Sequence, residues 1–140
     1  MKIILTGITG FLGRHLVRAL VANRHTVIGL KRRKSDVSCL SSIEKKAVIF
    51  FNVEDSLDHL FESHPDIDLV IHAATSYGNQ GELLSEVLMT NIIFPLRLME
   101  LASLRKKCIF INTDTFFCKI NDEYSHLNGY VRSKKIFYQL

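Results

Sequence analysis

The first thirteen residues read Met1-Lys2-Ile3-Ile4-Leu5-Thr6-Gly7-Ile8-Thr9-Gly10-Phe11-Leu12-Gly13. The apolar run ending at Leu5 has the length of a buried strand. Three glycines, with two residues between each and the next, follow at once. An amphipathic stretch from Arg14 to Asn23 comes next and, with Leu12, offers Leu16, Ala19, Leu20 and Val21 to one face. Strand, glycine turn and helix together make the layout that holds a pyrophosphate. Glycine lets backbone approach phosphate where a β-carbon would hold it off. The helix start then offers unpaired N–H groups to the negative charge. A glycine-rich turn can also be no more than a turn. Here three of the chain's seven glycines fall in it, directly after a strand. Dinucleotide binding through Gly7, Thr9, Gly10, Phe11, Leu12 and Gly13 is therefore the expectation.

The rest of the chain continues the pattern. Short apolar runs at Thr26–Leu30, Ala47–Phe51, Asp68–Ala74 and Cys108–Asn112 read as further strands, covered on both faces. Helical stretches lie between them at Ser56–Ser63 and Leu83–Leu104, with a kink or break expected at Pro95, and a last one starts at Tyr130. Residues 35–42 read as a surface loop. Alternating strands and helices predict an α/β fold, a Rossmann-type doubly wound parallel sheet of strand order 3-2-1-4-5. At 140 residues the expectation is a single domain, 1–140, truncated before the last strands of such a sheet and before any substrate lobe. A net charge of +4, scattered apart from Lys31-Arg32-Arg33-Lys34, gives nucleic-acid binding little support. No apolar run approaches the roughly 20 residues of a membrane span. Three cysteines without metal or redox spacing, and no secretory leader, predict reduced thiols in a cytoplasmic protein.

The spacing Gly7-x-x-Gly10-x-x-Gly13 is one residue longer at its start than G-x-G-x-x-G. Thr-Gly-x-x-Gly-x-x-Gly right after the first strand resembles the opening of the extended short-chain dehydrogenase/reductase family, the NAD-dependent epimerase/dehydratases of nucleotide sugars. The resemblance runs the length of the chain. It implies a nicotinamide dinucleotide as cofactor and a nucleotide sugar as substrate.

The acid that accepts the adenosine ribose hydroxyls should lie about 20 residues beyond the glycines, at the end of the second strand. Lys31 and Arg32 stand there instead. A cation cannot accept those bonds but pairs with a 2′-phosphate, and a guanidinium does so through its planar fork. The reading favours NADP(H) over NAD(H), against the alternative of a solvated basic loop. Asn52-Val53 match the family's Asp-hydrophobic pair beside the adenine, with Asn keeping an acceptor. Ile71-His72-Ala73-Ala74 ends the fourth strand, where ligands sit in open α/β sheets. The resemblance marks Ala73 and Ala74 as lining the cofactor, and His72 is read as structural. Thr75 to Gly78 is expected to form a lip over the site. Asn91 matches the family's asparagine that fixes active-site backbone and water, or else is a polar helix residue facing solvent.

Tyr130-Val131-Arg132-Ser133-Lys134 places a phenol and an ammonium at i and i+4, on one helix face. A free tyrosine has a pKa of about 10, and a neighbouring cation favours its phenolate. Tyr130 then exchanges a proton with a carbinol oxygen while a nicotinamide handles hydride. The resemblance implies the same roles for Tyr130 and Lys134, and both as cofactor contacts. It puts the catalytic hydroxyl on Thr113, with Thr115 the runner-up. The family's 4,6-dehydratases carry Thr-Asp-Glu where this chain has Thr113-Asp114-Thr115. An alcohol is no base near neutral pH, so dehydration is disfavoured. The family's Tyr-Gly is replaced by Phe117-Cys118. With the 124–130 lead-in, the turn is most similar to the family's CDP-abequose synthase-type reductases.

The expected function is thus NADP(H)-dependent reduction of a nucleotide-linked 4-keto-deoxy sugar, with the 140 residues alone inactive or incomplete. The alternatives are an epimerase with bound NAD(P) and a non-catalytic dinucleotide-binding module. In the resembled family, helices matching 83–104 and 130–140 form a four-helix dimer interface, so a homodimer is expected.

Overall fold

A computed structural model describes residues 1–115 and 128–140. The motif readings on Phe117, Cys118 and residues 124–127 lie outside the described residues. Five strands, β1 (Lys2–Thr6), β2 (Thr26–Lys31), β3 (Val48–Asn52), β4 (Leu69–His72) and β5 (Ile109–Asn112), form one sheet in the order β3-β2-β1-β4-β5. All four pairings are parallel. This is the doubly wound order expected from the sequence. The three central strands are buried on both faces: Ile3, Ile4, Leu5, Val27, Ile28, Leu30 and Val70 are closed to solvent. That explains why they read as continuous apolar runs rather than alternating ones. On β5, an edge strand, Ile109 and Ile111 are exposed on one face.

The helices are α1 (Phe11–Ala22), α2 (Ser42–Ala47), α3 (Leu57–Ser63), α4 (Leu84–Leu88), a π-helical turn (Met89–Ile93), α5 (Phe94–Ser103) and α6 (Asn128–Gln139). Three features differ from expectation. Helix α2 occupies the start of what reads as the third strand, and Ala47 is its last residue. Ser41 accepts the Glu44 N–H while the Glu44 carboxylate accepts the Ser41 N–H, a complete capping box. The fourth strand stops at His72, because the Ala73 and Ala74 N–H groups leave the ladder for the Thr6 hydroxyl. The break expected at Pro95 is displaced. The backbone widens one turn earlier, with the Phe94 N–H reaching the Met89 carbonyl, and Pro95 falls in the first turn of α5. A proline lacks the N–H that an α-helix would direct to residue 91, and a π turn absorbs the mismatch. Within the described residues, no helix is long and apolar enough to cross a membrane.

The chain divides into two compact units. One comprises Met1–Ala74 and Leu98–Asn112 and contains the whole sheet. The other comprises Thr75–Arg97 and Thr113–Leu140 and contains α4, the π turn and α6.

Candidate active site

In the sheet unit, parallel strands bring every carboxyl end to one edge. Thr6 pairs with His72, His72 with Asn112, and Lys31 with Asn52. The glycine turn leaves β1 at that edge. Gly7 has a φ of +68°, and a β-carbon there would stand 2.7 Å from the Ala74 nitrogen. A β-carbon on Gly13 would stand 2.0 Å from the Gly7 carbonyl oxygen. Both glycines are therefore required by the turn's packing on itself and on Ala73-Ala74. Gly10 is different. It is exposed, and as the α1 N-cap it has no side chain to bond the first turn, which carries no acid either. The N-terminal amides of α1 thus lie open to an external anion, with the Arg14 guanidinium 5.3 Å from the Phe11 ring centre beside them. A pyrophosphate fits this cradle.

Thr6 organises the same edge. Its hydroxyl oxygen accepts the Ala73 and Ala74 N–H groups at 3.1 and 3.0 Å. It lies 2.9 Å from His72 Nδ1. With both acceptor directions used, the hydroxyl donates its one proton to Nδ1, so a neutral His72 carries its proton on Nε2. His72 is fully buried, as befits a structural histidine.

The basic run is unequal. Lys31 Nζ folds back toward the Arg32 and Arg33 carbonyls, 3.4 Å from each. Arg33 pairs with Asp55 at 2.7 Å, and its own N–H donates to the Glu54 carboxylate. The Arg32 and Lys34 side chains have no hydrogen-bond or ion-pair partner among the described residues and line a cavity with Arg33, Ser35 and Glu54. Val53 donates its N–H to the Lys31 carbonyl, which joins the Asn52-Val53 turn to the end of β2. Asn52 Nδ2 donates to Asp55, leaving its oxygen.

In the second unit, Tyr130 and Lys134 are buried on α6. Lys134 Nζ donates to the Thr113 carbonyl at 2.7 Å. The three residues read as catalytic are therefore gathered within one unit. Asn91, in the π turn, is 1% exposed, which rules out the solvent-facing alternative. Its oxygen accepts the Ser76 N–H at 2.9 Å, and its Nδ2 donates to the Ser76 carbonyl at 2.8 Å and to Ser133 Oγ at 2.9 Å. Ser133 in turn donates to the Tyr130 carbonyl. Lip, π turn and α6 are tied at one amide. Asp114 is exposed and accepts the Thr115 N–H at 2.7 Å.

A model of the NAD dependent epimerase/dehydratase family matches residues 3–140. The chain belongs to this family. Within it, the chain is 32% identical to CDP-abequose synthase of Salmonella muenchen over 139 residues, covering 99% of this chain and 46% of that protein. The same enzyme from Salmonella typhimurium is 32% identical over 137 residues, 96% of this chain and 45% of that one. The chain spans about half the length of the curated relatives it matches. Its fold is shared with UDP-glucose 4-epimerase of Thermotoga maritima, at a TM-score of 0.77 and 22% identity, over 99% of this chain and 49% of that one. A yeast methylglyoxal/isovaleraldehyde reductase in complex with NADPH superposes at a TM-score of 0.80 and 17% identity, over 99% and 51%.

In this epimerase/dehydratase member, Ser76 and Tyr77 are legible in the sequence only as part of the lip, and the roles of Thr6 and Ser133 are unmarked there. Thr6 carries a faint signal, a hydroxyl on the last strand residue before a glycine turn. Ser133 is a small polar residue one position before the motif lysine. Neither signal says what the hydroxyl bonds.

Proposed function

We propose that this chain provides the cofactor turn and the proton-transfer helix of an NADP(H)-dependent reductase for a nucleotide-linked 4-keto-deoxy sugar, of the CDP-abequose synthase type. The observation that carries it is the grouping of Lys134 with Thr113, on the helix that presents Tyr130 one turn earlier. A reduced nicotinamide, when bound, would supply the hydride. Tyr130 gives its phenolic proton to the carbonyl oxygen. The Lys134 ammonium, one turn along, offsets the negative charge left on the ring. The Thr113 hydroxyl donates a hydrogen bond to the same substrate oxygen, while its carbonyl is held by Lys134. Reduction needs no carboxylate base, and the position directly after Asp114 is Thr115, whose N–H the Asp114 carboxylate accepts.

Gly7, Thr9, Gly10, Phe11, Leu12 and Gly13 take the pyrophosphate. Asn52 and Val53 take the adenine, and Ala73 and Ala74 the ribose region. Arg32 takes the 2′-phosphate, aided by Lys31. The Asn91 network supports the active-site backbone. Leu83, Leu84, Met89 and Ile93 are exposed, as are Ile136 and Tyr138 of α6, and these apolar surfaces support a homodimer. Residues 1–140 serve as the NAD(P)-binding domain, and the groups that grip the sugar belong to the part of the relatives' length that this chain does not span. The experiment is Tyr130→Phe in the complete enzyme, assayed on a CDP-4-keto-deoxyhexose. Turnover should fall by at least about 10²-fold, the scale of a lost general acid, with NADPH binding retained. Activity near the wild-type level refutes the assignment.

A further inference from the structure

The lip at residues 75–78, with the segment that leads on from it to α4, carries one ring that the function above does not use. Tyr77 packs on Tyr130 with ring centroids 4.8 Å apart and planes inclined by 51°. Tyr130 is 5% exposed, whereas Tyr77 is 47% exposed. A proton donor cannot reach a substrate oxygen while its ring is covered, so something over Tyr130 has to move. The backbone on either side of Tyr77 is held. Ser76 is bonded at both its N–H and its carbonyl by the buried Asn91 amide. Gly78 lies so close to α4 that a β-carbon on it would stand 3.1 Å from a Val87 methyl. Farther along that segment, Glu82 accepts from the Ser76 hydroxyl and the Gln80 N–H. By contrast, the Tyr77 hydroxyl has no hydrogen-bond partner among the described residues. Its outer face is in water, and ring contact alone holds it.

We propose that Tyr77 is a side-chain gate over Tyr130: its ring turns away about χ1, on a fixed backbone, to admit substrate. A rotamer change of a half-exposed side chain is fast and leaves the clamp intact. The opening it leaves is bounded by the Asn91-held lip and by α6, so Tyr77 determines which carbonyl compounds reach the phenol. The aromatic face suits a substrate with an apolar C–H face toward the gate, as a deoxy sugar has, and disfavours one with an anionic group there. This part rests on the reductase reading, while the cover itself does not.

The test is acylation of the chain's tyrosines by N-acetylimidazole, followed residue by residue by peptide mass spectrometry. Tyr138, 83% exposed, is the internal reference for an open ring. In the unaltered protein Tyr138 and Tyr77 should react readily and Tyr130 slowly. Tyr77→Ala should raise the Tyr130 rate by roughly an order of magnitude, the difference between a rarely open and an open site, with Tyr138 unchanged. Tyr77→Phe keeps the cover and should leave Tyr130 slow. Tyr77→Leu retains apolar bulk without a ring, should give an intermediate rate, and decides the matter if the alanine variant unfolds. A Tyr130 rate that is the same with Tyr, Leu and Ala at 77 overturns the proposal. So does a Tyr130 rate equal to that of Tyr138 in the unaltered protein. Because the readout is acylation, it stands whether or not Tyr130 proves to be the proton donor. Conversely, an active Tyr130→Phe enzyme would sink the reductase reading and leave the gate untouched.

Discussion

Replacing Thr6 by Val keeps the side-chain shape and removes the hydroxyl on which three hydrogen bonds converge. Thr6 and His72 are both fully buried, so His72 Nδ1 loses its donor where no water replaces it. Ala73 and Ala74 are half-buried, and their N–H groups regain some solvation. A stranded buried polar group costs about 1–3 kcal/mol. Taking the low end for the histidine and for each of the two amides gives a loss of at least about 3 kcal/mol. That is a large share of the roughly 5–15 kcal/mol that holds a domain together. It corresponds to a drop of about 10 °C in Tm for a chain of this size. Thr6→Ser keeps the hydroxyl and loses a methyl, so it should cost about 1 kcal/mol. Urea unfolding followed by far-ultraviolet circular dichroism measures both. NADPH fluorescence titration should show weaker binding for the valine variant than for the serine one, because Ala74 packs directly on Gly7. If Thr6→Val unfolds within about 0.5 kcal/mol of the unaltered chain, the range of an inconsequential substitution, the three-bond assignment is wrong.

Calorimetry should show tighter binding of NADP(H) than NAD(H), with Arg32→Ala removing most of the preference and Lys31→Ala little of it. One charge-assisted contact is worth about 1.5–3 kcal/mol, and Lys31 is already turned to its own loop. Stronger NAD binding by the unaltered chain would end the argument. A second prediction concerns acid stability. The Ser41 N–H, and after it the Arg18 and Ser41 side chains, hold the Glu44 carboxyl below its usual range against a smaller opposing effect of burial. A depressed folded pKa stabilises above the unfolded value of about 4.3 and stops doing so as pH falls through the lower folded one. Glu44→Gln keeps an acceptor for the Ser41 N–H but loses the charge, so it should be less stable than the parent near neutral pH by about 1 kcal/mol, the difference between a charge-assisted and a neutral hydrogen bond. The two proteins should converge as pH falls through the lowered Glu44 value, and a gap that stays constant with pH would contradict this account.

The sheet was legible because burial writes a pattern that length and neighbours preserve. Strands β1, β2 and β4 are closed on both faces and appear as unbroken apolar runs, and the parallel order follows from strand–helix alternation. The missed helix α2 had its own signal, Ser41 three residues before Glu44. It was hidden because Ala47 continues without a break into the apolar Val48–Phe51. Pro95 was read correctly as a disturbance and placed one turn too late, since a proline's missing N–H is felt by the backbone ahead of it. The glycine turn was legible as a whole, but the division of labour within it was not. Gly7 and Gly13 serve the fold, Gly10 faces outward, and only the contacts of an added β-carbon separate them.

What the sequence could not carry is where single side chains substitute for backbone. In the sheet unit Thr6 takes the two amides that leave the β4 ladder. In the other unit Asn91 bonds Ser76 at both its N–H and its carbonyl, as a neighbouring strand would. Each interaction joins residues far apart in sequence through one polar group, so neither has a period to detect. Each also falls where a loop that the proposed chemistry depends on would otherwise have unpaired amides. An isolated buried Thr or Asn costs stability unless its partners are supplied, and here the partners are the loop amides themselves. The same bonds that make these residues tolerable inside the protein also fix the Ala73-Ala74 turn and the base of the Tyr77 lip. Two of the polar groups inside the core, Thr6 and Asn91, are therefore ones that hold the functional loops, and a search for function among exposed residues alone would pass over both.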